Sequence, residues 1–227
     1  MRGRLGNAAR RCWRLLLGWR FRLFQRHRHG GLTLERVAGR PILVLPRVFN
    51  PKLFRTGEFL VETLDERWVP PGSAVLDMGT GSGVGAVFAA RWARRVVAVD
   101  LNPEAVRCTR INALLNEVDD RVEAREGDLF APVTGERFDV VLFNPPFFRG
   151  KPRDDLEAAL WAEDVAERFA AGLAAQLTAG GHALLVLSSD GDVEGFLRTC
   201  RQHGFRCRRI AERDLVNETL TVYHLTL

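Results

Sequence analysis

The apolar run Ala74-Val75-Leu76-Asp77-Met78 passes directly into Gly79-Thr80-Gly81-Ser82-Gly83-Val84-Gly85 and then into a helical stretch, Ala86 to Trp92. Few architectures accept strand, glycine loop and helix in that order. A run that is apolar at successive positions is buried on both faces, so it belongs inside a largely parallel sheet covered by helices. The glycines allow positive φ and close approach of a ligand to the backbone, and the helix N-terminus offers free N–H groups.

Two further strands end in acids. Val96 to Val99 runs into Asp100, which in the crevice of a doubly wound sheet can take the two hydroxyls of a ribose. Arg121 to Arg125 feeds Glu126-Gly127-Asp128-Leu129-Phe130, where an acid can meet an adenine amino group while its neighbours flank the ring. A fourth strand, Val140 to Phe143, must stop at Pro145 and Pro146, because neither can donate a ladder hydrogen bond. Asn144 is thereby pinned at the strand tip. Its side-chain carbonyl and the main-chain carbonyl of Pro145 can accept both hydrogens of one amide or exocyclic amine, with Phe147 covering the flat group. A planar NH2 is a poor nucleophile, and fixed acceptors of this kind leave its lone pair free for a methyl donor. Gly81-x-Gly83-x-x-Ala86 also fits a dinucleotide fingerprint. A nicotinamide enzyme, however, needs neither Asp77 before the loop nor Asn144-Pro145-Pro146-Phe147 at the fourth strand.

In this order the pieces resemble the class I S-adenosylmethionine-dependent methyltransferases, in particular the (Asn/Asp/Ser)-Pro-Pro-(Tyr/Phe) group that methylates amide or amine nitrogens. Roughly Phe54 to Leu227 follows that pattern. The resemblance implies an α/β fold with a Rossmann-like seven-stranded sheet, helices on both faces and the last strand antiparallel. It implies S-adenosylmethionine as cofactor and no metal. Asp77, Gly79, Thr80, Gly81 and Gly83 would surround the methionine part, Asp100 and Leu101 the ribose, and Asp128 and Leu129 the adenine. Asn144, Pro145, Pro146 and Phe147 would hold the acceptor, with Asn144 also at the cofactor.

Gly79 to Gly83 together with Asn144-Pro145-Pro146 looks like the HemK-type enzymes, which methylate the glutamine side-chain amide of a translation release factor. Asn217-Glu218-Thr219-Leu220-Thr221-Val222 looks like the short archaeal and eukaryotic form of that group, some members of which work with a small zinc-containing activator. Two features depart from the pattern. Phe147 replaces the usual Tyr, and the Gly-Gly-x-x-Gly stretch common after the prolines is missing around Leu160 to Asp164. Asn144 to Gly150 is also similar to ribosomal RNA guanine-amine methyltransferases, with Phe148 where those commonly carry His. A small-molecule amine methyltransferase and a non-catalytic adenosylmethionine-binding partner are the remaining readings.

The chain has 227 residues, 46% of them hydrophobic, enough for one domain with an arm: residues 1–40 as a basic arm and 41–227 as the catalytic domain. Residues 1–40 hold eleven arginines and a single acid, Glu35, a local charge of +10 that leaves −5 for the remainder against a total of +5. Arginines interleaved with Trp13, Trp19 and Phe21 suit RNA. The same mixture suits an anionic membrane surface, a mitochondrial transit peptide or an arm partly packed on the domain. Cys12, Cys108, Cys200 and Cys207 form neither a Cys-x-x-Cys pair nor a zinc pattern, which fits a reducing cytoplasm. No apolar run approaches the roughly 20 residues needed to span a bilayer, and no signal peptide is visible.

The rest of the chain reads as alternating elements. Pro41 to Pro46 is expected as a short edge strand, and Gly57 to Trp68 as a covering helix on which Glu58 and Phe59 are either cavity-lining or, more simply, solvated. A helix from Asn102-Pro103 to Asn116 is capped by Asn102. A long helix is expected from Asp154 to Leu177, stopped by Gly180-Gly181. A fifth strand at His182 to Leu187, a helix at Val193 to His203 and a terminal pair, Phe205 to Ile210 with Leu220 to Leu225, complete the sheet.

Overall fold

The computed structural model describes residues 31–146, 164–215 and 218–227. Phe147, Asn217, residues 1–30 and the part of the expected long helix before residue 164 lie outside them.

The first elements form a hairpin, β1 (Thr33–Val37) paired antiparallel with β2 (Arg40–Val44) across Ala38 and Gly39, both at positive φ. It crosses residue 40, so β1 falls within the stretch read from sequence as arm. The strand expected at Pro41 to Pro46 exists as β2, but its only strand partner among the described residues is β1. Two short helices follow, α1 (Pro51–Phe54) and α2 (Thr56–Thr63).

The main sheet is built from β3 (Ala74–Met78), β4 (Arg95–Asp100), β5 (Val122–Glu126), β6 (Phe138–Phe143), β7 (Leu177–Ser188), β8 (Arg206–Asp214) and β9 (Thr219–Thr226). Their order is β5-β4-β3-β6-β7-β9-β8, with β9 antiparallel to both β7 and β8. This is the Rossmann-like methyltransferase sheet that the resemblance implies. Direction reverses at β3, from which the chain winds first to β4 and β5 and later to β6. Such a switch point leaves a crevice beyond the C-terminal ends of the strands.

Helices α3 (Val84–Ala89) and α4 (Pro103–Leu115) cover one face with α2, while α5 (Val165–Gln176) and α6 (Val193–Gln202) cover the other. Burial on both sides explains the unbroken apolar strands. In β6, Val140 and Leu142 enter the core under α2 and α3, and Val141 and Phe143 enter the core under α5 and α6.

Several boundaries differ from expectation: the covering helix expected over Gly57 to Trp68 is α2, which ends at Thr63, and the fifth strand begins at Leu177 instead of His182. The helix after the glycine loop runs over Val84–Ala89, earlier and shorter than Ala86 to Trp92. The long helix ends at Gln176, and Leu177 begins β7 opposite Phe138. Gly180, at φ 79°, therefore sits inside the strand, where the pairing slips between Phe138 and Val140, and it ends no helix. The strand starts early because Leu177 pairs with Phe138 ahead of the slip.

Candidate active site

The glycine loop takes its shape from two carboxylates. The Thr80 hydroxyl and the Ala86 N–H donate to Asp77 Oδ2 at 2.6 and 2.8 Å. This closes the loop between β3 and α3 around a buried acid. Burial pushes the Asp77 carboxyl up to about 6 against those two hydrogen bonds, and the charge of Asp100 adds to the rise. Asp100, at the tip of β4, accepts from Gly81 N at 2.8 Å and Asn102 N at 2.9 Å. Its carboxyl is also raised by burial, against the hydrogen bonds it receives.

Gly79, Gly81 and Gly83 all have positive φ, 61°, 55° and 79°. Gly83 is required for a second reason. A Cβ there would lie 2.8 Å from the Thr109 Cα, so α4 can pack on the loop only against a bare backbone.

Beyond the strand tips lies a cavity of about 450 Å³. Asp77, Gly79, Thr80, Gly81, Asp100, Leu101, Asp128, Leu129, Asn144, Pro145 and Pro146 all line it. Gly83 does not; it packs behind the loop on Thr109. Phe147 lies outside the described residues. Leu101 is 62% exposed. Leu129 turns into the cavity on a backbone at φ 46°, and Asp128 pairs with Arg168 of α5, itself a lining residue.

Asn144 occupies the end of β6. Its Nδ2 donates to Thr56 Oγ1 at 3.2 Å, while Oδ1 is buried and has no hydrogen-bond partner among the described residues. An acceptor buried without a partner costs about 1–3 kcal/mol, so this atom is suited to a ligand that brings an N–H.

One wall of the cavity comes from the segment preceding β3. Arg47, Phe49, Pro51, Gly57, Leu60 and Val61 line it. Phe49 stacks on Phe54 with ring centroids 4.3 Å apart. Glu58 is drawn outward to Lys52, and Phe59 lies in the core beneath the Arg213 guanidinium, so neither lines the cavity. The sequence signal for this wall was weak, since the strand that leads into it, β2, lies outside the main sheet whose tips form the crevice. The Asn50-Pro51 cap was its clearest trace: Asn50 Oδ1 accepts from Lys52 N and Leu53 N and starts α1.

Among the described residues no helix is long and apolar enough to cross a membrane.

The comparisons agree with the geometry. A family model described as the methyltransferase small domain matches residues 40–211. A Methanocaldococcus jannaschii protein named for a suspected N5-glutamine methyltransferase activity is 29% identical over 182 residues, 76% of this chain and 91% of that one. A release factor glutamine methyltransferase of Geobacter sulfurreducens is 36% identical over 129 residues, 56% of this chain and 43% of that one. A ribosomal protein L11 methyltransferase of Pelobacter propionicus is 38% identical over 160 residues, 69% of this chain and 44% of that one. The chain thus spans under half the length of the last two. Among solved structures, the T. thermophilus 16S rRNA N2 G1207 methyltransferase, in complex with AdoMet and guanosine, superposes with a TM-score of 0.61. It is 26% identical, and the match covers 85% of this chain and 49% of that one. With a switch-point cavity, an acid-braced glycine loop and a family match over most of its length, the chain belongs to the methyltransferase small domain family and is a class I methyltransferase.

Proposed function

We propose that the cavity binds S-adenosylmethionine and that the protein transfers its methyl group to a planar amide or amine nitrogen, in first place the glutamine side-chain amide of a translation release factor. Asn144, a lining residue whose Oδ1 is buried without a hydrogen-bond partner among the described residues, carries this reading. The residues fit the cofactor. A volume of about 450 Å³ is within the roughly 300–1,000 Å³ of small-molecule sites. Asp100 ends β4 and Asp128 follows β5, so the two acids could serve different parts of an elongated nucleoside, and the glycines of the loop leave backbone open to the methionine part.

When bound, the sulfonium supplies an electrophilic methyl group. Asn144 Oδ1 and the Pro145 carbonyl hold the two N–H bonds of the acceptor, so the nitrogen lone pair points along the line of displacement. No residue need remove a proton beforehand, because the nitrogen becomes positively charged as it gains the methyl group and then gives up one proton to solvent as the product leaves. The apolar lining by Leu60, Val61, Leu101 and Phe143 excludes water from the bond being formed. We assign the chemistry to residues 41–227, and place the reaction in the cytoplasm, where thiols stay reduced.

A second reading is methylation of a guanine amine in ribosomal RNA. Two observations favour it: the likeness to a 16S rRNA enzyme solved with guanosine, and the +10 charge of residues 1–40. An exocyclic amine offers the same two N–H groups to Asn144.

The experiment is to incubate the full chain with methyl-labelled S-adenosylmethionine and a cell extract, then separate protein from RNA. Label in a protein of release-factor size supports the glutamine reading. Label in ribosomal RNA replaces it with the guanine amine, and label in neither overturns both.

A further inference from the structure

Thr56 opens α2, is wholly buried, and does not line the cavity. It reaches the site through one bond: its Oγ1 accepts from Asn144 Nδ2, 88 positions further along the chain. The local backbone is built to deliver it. Asn50 caps α1, and Arg55 at φ 62° then turns the chain sharply so that α2 begins with Thr56 facing β6. Gly57 follows, where a Cβ would lie 2.9 Å from the Pro51 Cβ, so α1 and α2 are wedged together.

We propose that Thr56 is a positioning residue for methyl transfer: by holding the Asn144 Nδ2, it turns the carbonyl end of that amide toward the acceptor. This rests on the reading of Asn144 as the group that holds the acceptor nitrogen. The torsion that rotates an asparagine amide is broad and roughly two-fold, and the amide's ends are nearly alike in shape yet opposite in hydrogen-bonding sense. A freely turning Asn144 would spend part of its time with its own NH2 facing the NH2 of the acceptor, which is repulsive. With Nδ2 held at Thr56 Oγ1, Oδ1 is the end of the amide left for the acceptor. The bond also polarises the amide, so Oδ1 accepts more strongly than it would alone. A hydroxyl suits the post because its small size places Oγ1 against Nδ2 with no charge added beside the sulfonium.

The test compares Thr56→Val, which keeps the shape without the hydroxyl, with Thr56→Ser, which keeps the hydroxyl. Adenosylhomocysteine affinity is measured by calorimetry. Turnover is measured as label passed from methyl-labelled S-adenosylmethionine to a cell extract. Thr56→Val is expected to keep adenosylhomocysteine affinity within about twofold and to lose turnover by about tenfold or more, on the scale of one lost positioning contact. Thr56→Ser is expected to return to within about threefold of the parent. In an Asn144→Ala background, Thr56→Val is expected to add no further loss, since nothing is left for it to orient.

Parental turnover in Thr56→Val overturns the inference. So does a fall in cofactor affinity that matches the fall in turnover, or an additive loss in the double variant. If Asn144→Ala itself turns over at the parental rate, the underlying reading of Asn144 fails, and the Thr56 inference fails with it. If Asn144→Ala is slow and Thr56→Val is not, only the inference fails. Should Thr56→Val lack the native melting transition, Thr56→Ser decides, made both in the parent and in the Asn144→Ala background: it must be near-parental in the first and indistinguishable from Asn144→Ala alone in the second.

Discussion

Gly85 and Asp77 approach so closely that a methyl group on Gly85 would stand 2.4 Å from Asp77 Oδ1. The carboxylate can reach the Ala86 N–H and the Thr80 hydroxyl only because the first turn of α3 is bare at that point. Gly85→Ala must either push the carboxylate aside or open the loop. Overpacking of this kind costs about 1–3 kcal/mol, and in a domain of this size each 1 kcal/mol lowers the melting temperature by about 2–4 °C. Calorimetric melting is the check. A variant that melts with the parent would show that the loop yields without strain.

Asp77 also sets a pH dependence. Its native carboxyl titrates near 6, whereas in the unfolded chain it titrates near 3.8. Between about pH 4 and 6 the native state keeps a proton that the unfolded chain has lost, so this group makes stability fall as pH rises through that window. Two pH units correspond to about 3 kcal/mol. In Asp77→Asn that slope disappears. Urea unfolding at pH 4.5 and 7 is therefore expected to show the parent losing more stability than the variant on going to the higher pH, and equal changes would refute the assignment.

His224 acts with the opposite sign. Burial, the neighbouring His182 and the charge of Arg208 push its imidazole down to about 4, against 6.5 when free. As pH falls from 6.5 toward 4, the unfolded chain takes up a proton that the native state refuses, and stability drops. His224→Gln is expected to soften this acid loss in the same unfolding series. A variant as acid-sensitive as the parent would remove His224 from the balance.

Binding and chemistry are expected to separate along β4 and β6. Asp100→Ala deletes the acceptor of Gly81 N and Asn102 N, so adenosylhomocysteine affinity falls first. Asn144→Ala leaves that affinity nearly intact while turnover falls by about 10²-fold, the scale of a lost preorganised polar group. Calorimetry paired with turnover tests both; parallel loss in the Asn144 variant would sink its assigned role.

Asn112 joins the hairpin to the glycine loop. Its Oδ1 accepts from Leu43 N at 2.8 Å, and its Nδ2 donates to Leu43 O and Ser82 O at 2.6 and 2.7 Å, all from a wholly buried side chain. Asn112→Ala removes the partner of Leu43 N and the amide donor to Leu43 O and Ser82 O, leaving Leu43 O only the Cys108 thiol, and is expected to cost about 2–4 kcal/mol. The Leu43 amide should lose hydrogen-exchange protection before the strands of the main sheet do. Unchanged protection there would mean that packing and the remaining bonds, such as Asn116 Nδ2 to Pro41 O, suffice to hold the hairpin.

Several elements were legible in the chain order alone. Ala74–Met78 was read residue for residue, because a strand covered on both faces has few polar positions to blur its ends. The helix start at Asn102-Pro103 was equally plain, since a side-chain cap and a fixed φ are both local properties. Gly180 misled because a glycine that ends a helix and a glycine that eases a strand irregularity look alike in one dimension.

What the amino-acid order determined by itself is the chemistry at the strand tips. Asp77, Asp100, Asp128 and Asn144 each lie in or just after a short apolar or alternating run, and a parallel sheet necessarily gathers such tips on one edge. What only the tertiary structure decided is everything that depends on distant partners: the cavity wall from Arg47 to Val61, the tie from Asn112 to the hairpin, and the bond from Asn144 to Thr56. Those contacts join segments well apart in the chain, and no local pattern of charge or hydropathy records which of many buried hydroxyls will meet a given amide once the helices have packed.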